Sequence, residues 1–344
     1  MKKQVMQLAL AVSLLAGAAH AQVKTLDPQK DPKIGKEVKA FLKVLNVPGA
    51  KGLETFSPAD ARKVLEGAQQ SVQVDVSGIE VTEKNVQEDG LNLKLYVVRP
   101  EGVSGTLPVF MFFHGGGWIL GDFATHKRLV RDLVVNSGAV AVFVEYSRSP
   151  EAHYPTALIE CYAGTKWVAE HGAEINVDPS RLAIAGNSVG GNLTAAVALM
   201  AKDKHGPALK LQVMLWPVTD ANFNTGSYLE FATDRFLTRN MMIWFWDAYT
   251  PKNNRMAYYV TPLKASLDEL KDLPPALIQV AENDVLRDEG EAYGRKLDQA
   301  GVPTTLVRFD GLIHDYGLLN PIATVPAVQS AMRYAGNELR NALK

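Results

Sequence analysis

The feature that most constrains the fold is a series of short apolar runs that do not alternate. They lie at residues 109–113, 139–144, 182–185, 211–215 and 276–280. A run with no polar face fits a strand covered on both sides, as in a parallel sheet with helices above and below. Helical stretches fall between them, near 123–136, 155–171, 189–203 and 286–300, and a last strand near 304–309 precedes a helix near 326–342. Such repetition predicts an α/β fold whose mostly parallel sheet is flanked by helices.

The first third reads differently. Val72, Val74 and Val76, then Leu91, Leu93, Leu95 and Val97, have strand period, and Asp89-Gly90 between them is a hairpin signal. This predicts an antiparallel edge to the sheet. Upstream, a helix is expected over 33–44 with Ile34, Val38, Phe41 and Leu42 on one face. A second is expected from Ser57 and Pro58 to about Gly67. Residues 217–270 interrupt the strand–helix alternation and are rich in aromatics, so they read as an insertion above the sheet, packed with the N-terminal segment.

At the extreme N-terminus, Lys2 and Lys3 precede an apolar run over 8–19, and Ala19-His20-Ala21 supplies small residues where a signal peptidase reads. The run is too short for a membrane span of about 20 residues. Cleavage between Ala21 and Gln22 is expected, with a periplasmic or secreted product. The expected organisation is therefore signal peptide 1–21, N-terminal cap segment 22–70, core 71–216 and 271–344, and cap insertion 217–270.

Composition narrows the function. With 36 Lys+Arg against 37 Asp+Glu and no basic run, nothing drives non-specific nucleic-acid binding. Cys161 is the only cysteine, which excludes an internal disulfide and a cysteine zinc site; there is no H-E-x-x-H, so no metal is expected.

Two glycine motifs follow predicted strands. Gly186-Asn187-Ser188-Val189-Gly190 is a G-x-S-x-G between a strand and a helix, the context in which a serine is lifted above the sheet on a sharp turn. His114-Gly115-Gly116-Gly117-Trp118 follows the strand at 109–113, and its glycines let backbone N–H groups face a reacting oxygen. Val189 N–H, beside the serine, supplies a further donor. A serine needs a base and a group to orient that base. His314 stands in a loop after the last strand and Asp284 in a loop after the strand at 276–280, giving the order Ser, Asp, His of α/β hydrolases. Glu282, Asp288 and Asp310 are rival acids, and His114 reads as a brace for its loop. Trp118, Phe236 and Trp244 are candidate pocket residues, with cap packing the competing reading.

Together these motifs, with Asp284-Val285-Leu286-Arg287-Asp288-Glu289-Gly290 and Tyr146-Ser147-Arg148-Ser149-Pro150-Glu151, resemble the hormone-sensitive-lipase-like carboxylesterases (bacterial family IV) over roughly residues 70–340. The resemblance implies an α/β-hydrolase core with a helical cap, hydrolysis of short-acyl esters without a cofactor, the triad Ser188, Asp284 and His314, and oxyanion donors Gly116, Gly117 and Val189. Two departures stand out. The family usually has Asp before the serine and Ala after it, where this chain has Asn187 and Val189. The expected partner is a small-molecule ester, with neither nucleic acid nor a membrane span; the sequence does not set the oligomeric state, and a homodimer is admitted. A deacetylase, amidase or thioesterase could use the same triad, and a non-catalytic small-molecule binder is the reading from another class.

Overall fold

A computed structural model of the protein describes residues 26–344. The expected signal peptide and its cleavage point lie outside the described residues. Eight strands build one sheet: β1 (Ile79–Glu88), β2 (Leu91–Pro100), β3 (Leu107–Phe113), β4 (Val140–Val144), β5 (Val177–Asn187), β6 (Gln212–Leu215), β7 (Ala276–Asn283) and β8 (Thr304–Ile313). Their order across the sheet is β1-β2-β4-β3-β5-β6-β7-β8. β1 and β2 pair antiparallel around Asp89-Gly90, which both take the positive φ of a tight hairpin turn, and β2 joins β4 antiparallel. From β4 to β8 every pairing is parallel.

The absence of alternation in β3 has its expected cause. Val109, Met111 and Phe113 enter the core on one face of the sheet, and Phe110 and Phe112 enter the core on the other. Both faces are covered by helices: α1 (Lys36–Leu45), α2 (Pro58–Gln70), α3 (Phe123–Ser137), α4 (Thr156–His171), α5 (Val189–Asp203), α6 (Gly226–Glu230), α7 (Arg239–Tyr249), α8 (Leu267–Leu270), α9 (Arg287–Gln299) and α10 (Pro326–Ala342). Because β3, β5, β7 and β8 run parallel, the loops that follow them emerge at one end of the sheet. That end is where α/β folds place their ligands.

Four expectations are corrected. Val72, Val74 and Val76 lie outside any strand: Asp75 Oδ1 accepts from Ser77 N and Oγ, a local turn that competes with pairing, and β1 starts only after it at Ile79. α1 begins at Lys36 rather than Lys33, because Asp31 Oδ1 holds Lys33 N and Ile34 bridges to Gly311. α2, capped by Ser57 as expected, runs past Gly67 to Gln70. Its penultimate residue, Gln69, is buried and donates to Thr125 O and Leu318 O, so tertiary contacts carry the helix through the glycine. β5 starts five residues early, at Val177, which pairs with Leu107 before a register shift at Pro108/Val109.

The insertion at 217–270 and the N-terminal segment meet directly. Asp31 and Arg235 form a buried ion pair at 2.7 Å, Asn46 donates to Asp234 O, and the rings of Phe41 and Phe236 lie 6.4 Å apart. Among the described residues, no helix is long and apolar enough to cross a membrane.

Candidate active site

The site begins with a strained turn. Ser188 links the end of β5 to the start of α5 at φ 55° and ψ −119°, a conformation non-glycine residues rarely adopt. Three bonds fix it: Ser188 N donates to Leu215 O at 2.9 Å, and Ser188 O accepts from Val218 N at 3.1 Å and Asn192 N at 3.2 Å. The hydroxyl is thereby presented at the N-terminus of α5, where the helix dipole favours negative charge.

Ser188 Oγ lies 2.9 Å from His314 Nε2, and His314 Nδ1 lies 2.7 Å from Asp284 Oδ2. Since an ionised carboxylate only accepts, Nδ1 carries the proton toward Asp284 and Nε2 accepts from the serine. Asp284 is itself held, its Oδ1 accepting from Leu286 N at 2.9 Å. All three side chains are buried. Burial alone would push the His314 pKa down, but the carboxylates of Asp284 and Asp315 and the hydrogen bond to Asp284 outweigh it and set it above 6.5. The rival acids are engaged elsewhere. Glu282 accepts from Gly311 N, Asp288 from Ser227 N, and Asp310 from Arg308 at the surface.

The glycine loop after β3 folds back on itself. Gly116 and Gly117 have φ of 105° and 64°, and Gly116 O accepts from Leu120 N at 2.8 Å and Ile119 N at 3.2 Å. A Cβ on Gly116 would sit 2.6 Å from Leu120 O, so glycine is required there by both conformation and space. Gly115 N is already committed to Asn187 Oδ1 at 3.0 Å and His126 Nε2 at 3.3 Å. The amides of Gly116, Gly117 and Val189 have no acceptor among the described residues.

His114 does not approach the serine. Its ring is fully buried and stacked on Tyr146 at 4.0 Å, and Nδ1 lies 2.8 Å from Gly115 O. Burial holds its pKa well below the ordinary imidazole value, so it braces the loop as a neutral ring. His126 is a residue that the sequence reading missed. It sits on α3 with Nδ1 3.1 Å from Asp122 O, burial pulls its pKa to about 4, and its other nitrogen holds Gly115 N. Only the i, i+4 spacing from the Asp122 cap could have hinted at it.

Of the candidate pocket aromatics, Trp118 is buried in packing, whereas Phe236 and Trp244 are half-buried. Trp118 is fully buried, stacked face to face on Tyr249 at 4.0 Å and edge-on to Trp246 at 4.9 Å, so it is a core contact between the loop and α7. Phe236 packs toward α1, and Trp244 lies against Phe245 at 5.1 Å. The ring that meets the glycine loop is Phe245: a Cβ on Gly117 would come within 2.2 Å of it. Helical spacing explains the difference, since Met241, Met242, Phe245, Trp246 and Tyr249 form the buried face of α7 and Trp244 falls off it.

A serine, histidine and carboxylate in relay, beside free amides at strand ends, is the geometry of acyl-transfer hydrolases. Residues 110–318 match the family model described as the alpha/beta hydrolase fold. The chain belongs to the α/β-hydrolase family. This α/β hydrolase is similar in structure to a thermostable esterase from Pseudomonas putida, with 62% identity and a TM-score of 0.90 over 91% of this chain and 99% of that one. It is 37% identical over 308 residues to an α/β hydrolase of Acanthamoeba polyphaga mimivirus, covering 88% of this chain and 86% of the relative. It is 35% identical over 295 residues to the carboxylesterase NlhH of Mycobacterium tuberculosis, covering 84% and 92%. These likenesses agree with the resemblance read from its motifs.

Proposed function

We propose that this α/β hydrolase is a serine carboxylesterase acting on short-acyl esters through an acyl-enzyme on Ser188. The observation that carries the reading is the Ser188–His314–Asp284 relay at 2.9 and 2.7 Å, with the amides of Gly116, Gly117 and Val189 left to bind an oxyanion.

In this mechanism Ser188 Oγ attacks the ester carbonyl carbon as His314 Nε2 takes its proton. Asp284 holds the tautomer and stabilises the imidazolium. The three amides bind the tetrahedral oxyanion, each donor contributing about 3–4 kcal/mol to barrier lowering. Collapse breaks the bond to the alcohol, which leaves with the proton from His314. Water then repeats the sequence on the acyl-enzyme and releases the acid.

A short acyl group suits the enclosure of the site. Ser188 is only 4% exposed, Val189 brings a branched side chain beside it, and Phe245 lies on the glycine loop. Residues 22–70 and 217–270 are proposed to act as a cap over the sheet end, supported by the Asp31–Arg235 pair and the Phe41–Phe236 contact. Steady-state hydrolysis of p-nitrophenyl esters from acetate to palmitate tests the reading. Turnover is expected to peak at acetate or butyrate and to vanish by palmitate. A peak at long chains would instead make the enzyme a lipase.

The histidine sets a pH prediction. Only neutral His314 can accept the serine proton, and its pKa is raised, so the base form is lost as pH falls through a value above 6.5. The acid limb of kcat/KM is expected above pH 6.5; a limb below it would contradict the two-carboxylate environment.

We also propose export, with cleavage between Ala21 and Gln22, on the strength of Lys2, Lys3, the apolar run and the Ala-His-Ala triplet. N-terminal sequencing of the exported protein should begin at Gln22. A start at Met1 would refute it.

A further inference from the structure

The residue after the base and the residue before the nucleophile meet in the core. Asp315, at φ 57°, is buried, and so is Asn187. Asp315 Oδ1 accepts from Trp216 Nε1 at 2.7 Å and from Asn187 Nδ2 at 3.1 Å. Its other oxygen lies 3.8 Å from His314 Nε2, the nitrogen that faces the serine. The far end of the Asn187 amide accepts Gly115 N. A continuous chain of contacts therefore runs from the histidine through Asp315 and Asn187 to the glycine loop.

We infer that Asp315 is a positioning residue of this site: its carboxylate, held by Trp216 and by the Asn187 that also grips the glycine loop, sets a negative charge 3.8 Å from Nε2 of His314 without a hydrogen bond to it. The inference rests on the esterase reading of Ser188, His314 and Asp284. His314 thus sits between two carboxylates, Asp284 on Nδ1 and Asp315 near Nε2, and both favour the imidazolium formed during attack.

Asn187 makes this possible. It donates with one end and accepts with the other, as a carboxylate cannot. An Asp at 187, the residue usual among the carboxylesterases this chain resembles, would stand about 3 Å from Asp315, and two carboxylates so close cannot both stay ionised. Amide at 187 and carboxylate at 315 form a matched pair. The carboxylate's role is separable from the fold, because the turn is held by the Asp315 backbone carbonyl, which accepts from Leu318 N and Leu319 N.

Other ionisable groups around the histidine stay in place in the test. Glu289, Tyr228 and Tyr316 lie on the Asp284 side, Glu289 with its pKa driven well up by burial. His126, neutral at working pH, lies on the Asp315 side.

Two substitutions and their combination isolate the two halves of the device. Asp315→Asn keeps an acceptor for Trp216 and Asn187, removes the charge, and turns the oxygen near His314 Nε2 into an NH2 group. It should move the acid limb of kcat/KM to lower pH by on the order of one unit and lower kcat about tenfold, with KM within about twofold. The same downward displacement should appear without turnover, in the ¹H NMR titration of the His314 Nδ1 proton. Asn187→Asp should lower kcat about 100-fold, because it sets carboxylate against carboxylate. The double variant Asn187→Asp/Asp315→Asn removes one of the two facing charges and should recover about tenfold of that loss but not all of it, because the one atom at 315 that faces both Trp216 Nε1 and position 187 can accept or donate, not both. An acid limb and NMR titration unmoved in Asp315→Asn would overturn the inference, as would a double variant no better than Asn187→Asp. If Asp315→Asn does not fold, the single variant Asn187→Asp decides: kcat within about twofold of wild type would overturn the inference. Wild-type protein with no esterase activity, or activity that survives loss of Ser188, would instead strike at the esterase reading itself.

Discussion

Ser188→Ala is expected to lower kcat on p-nitrophenyl acetate by about 10⁶ while leaving the fold in place. The hydroxyl is the atom that forms the acyl-enzyme, and no neighbouring hydroxyl or thiol shares its bond to His314: among the described residues the one cysteine is buried on α4, its thiol driven up by that burial. What survives should be the residual acceleration of about 10³–10⁴ over water that the amides and binding provide. Stability should change little. Alanine meets the same φ strain as serine, and the turn is held by backbone bonds from Leu215, Val218 and Asn192 that the substitution leaves alone. The cost is an unpartnered His314 Nε2, worth about 1 kcal/mol. Active-site titration with a phosphonate ester, run beside the turnover assay, separates true residual activity from traces of wild type. A variant within tenfold of wild type would remove Ser188 from the mechanism.

How far the sequence could be read depended on how local each signal was. The parallel strands were legible because burial on both faces leaves no polar position, as in residues 109–113. Ser188, Asp284 and His314 were legible because each stands within a few residues of an expected strand, though the last of these, with Arg308 and Asp310 exposed, is not buried on both faces. The glycines of the loop at 115–117 announced themselves as a place where side chains cannot fit. What escaped was set by distant partners. The helix at 58–70 runs through Gly67 because Gln69 finds acceptors 56 and 249 residues away. The valines at 72, 74 and 76 alternate with no strand to pair with, so the Asp75 turn wins. Which ring meets the glycine loop also escaped, because helical phase on α7 turns Phe245 toward Gly117 and leaves Trp244 off the buried face. Asn187 was noticed as a departure, but its meaning required Asp315, which adjoins it only once β5 and β8 have folded into one sheet.

Gly190→Ala is expected to destabilise the protein by on the order of 4 kcal/mol and to abolish esterase activity, although helix propensity alone predicts the reverse. Gly190 is the second residue of α5, where alanine ordinarily gains about 1 kcal/mol over glycine. Here a Cβ would stand 1.9 Å from Phe113 O and 2.8 Å from His114 O. Both obstacles are backbone, so no side chain can swing aside, and β3 would have to part from the start of α5. That displacement reaches the chemistry, because β3 leads into the loop carrying Gly116 and Gly117 while α5 starts at Val189, and the three amides must converge on one oxygen. Gly67→Ala on α2 is the matched control: it is exposed, helical, and has nothing within 4 Å of a new Cβ, so it should stabilise by about 0.5–1 kcal/mol. Urea midpoints at constant m measure both. Equal effects would mean that the glycine at 190 serves only turn flexibility. Opposite signs would mean that it is there for contact, that the second glycine of G-x-S-x-G is the surface on which the nucleophile turn and the oxyanion loop touch, and that the distance between them is fixed by the absence of a single methyl group.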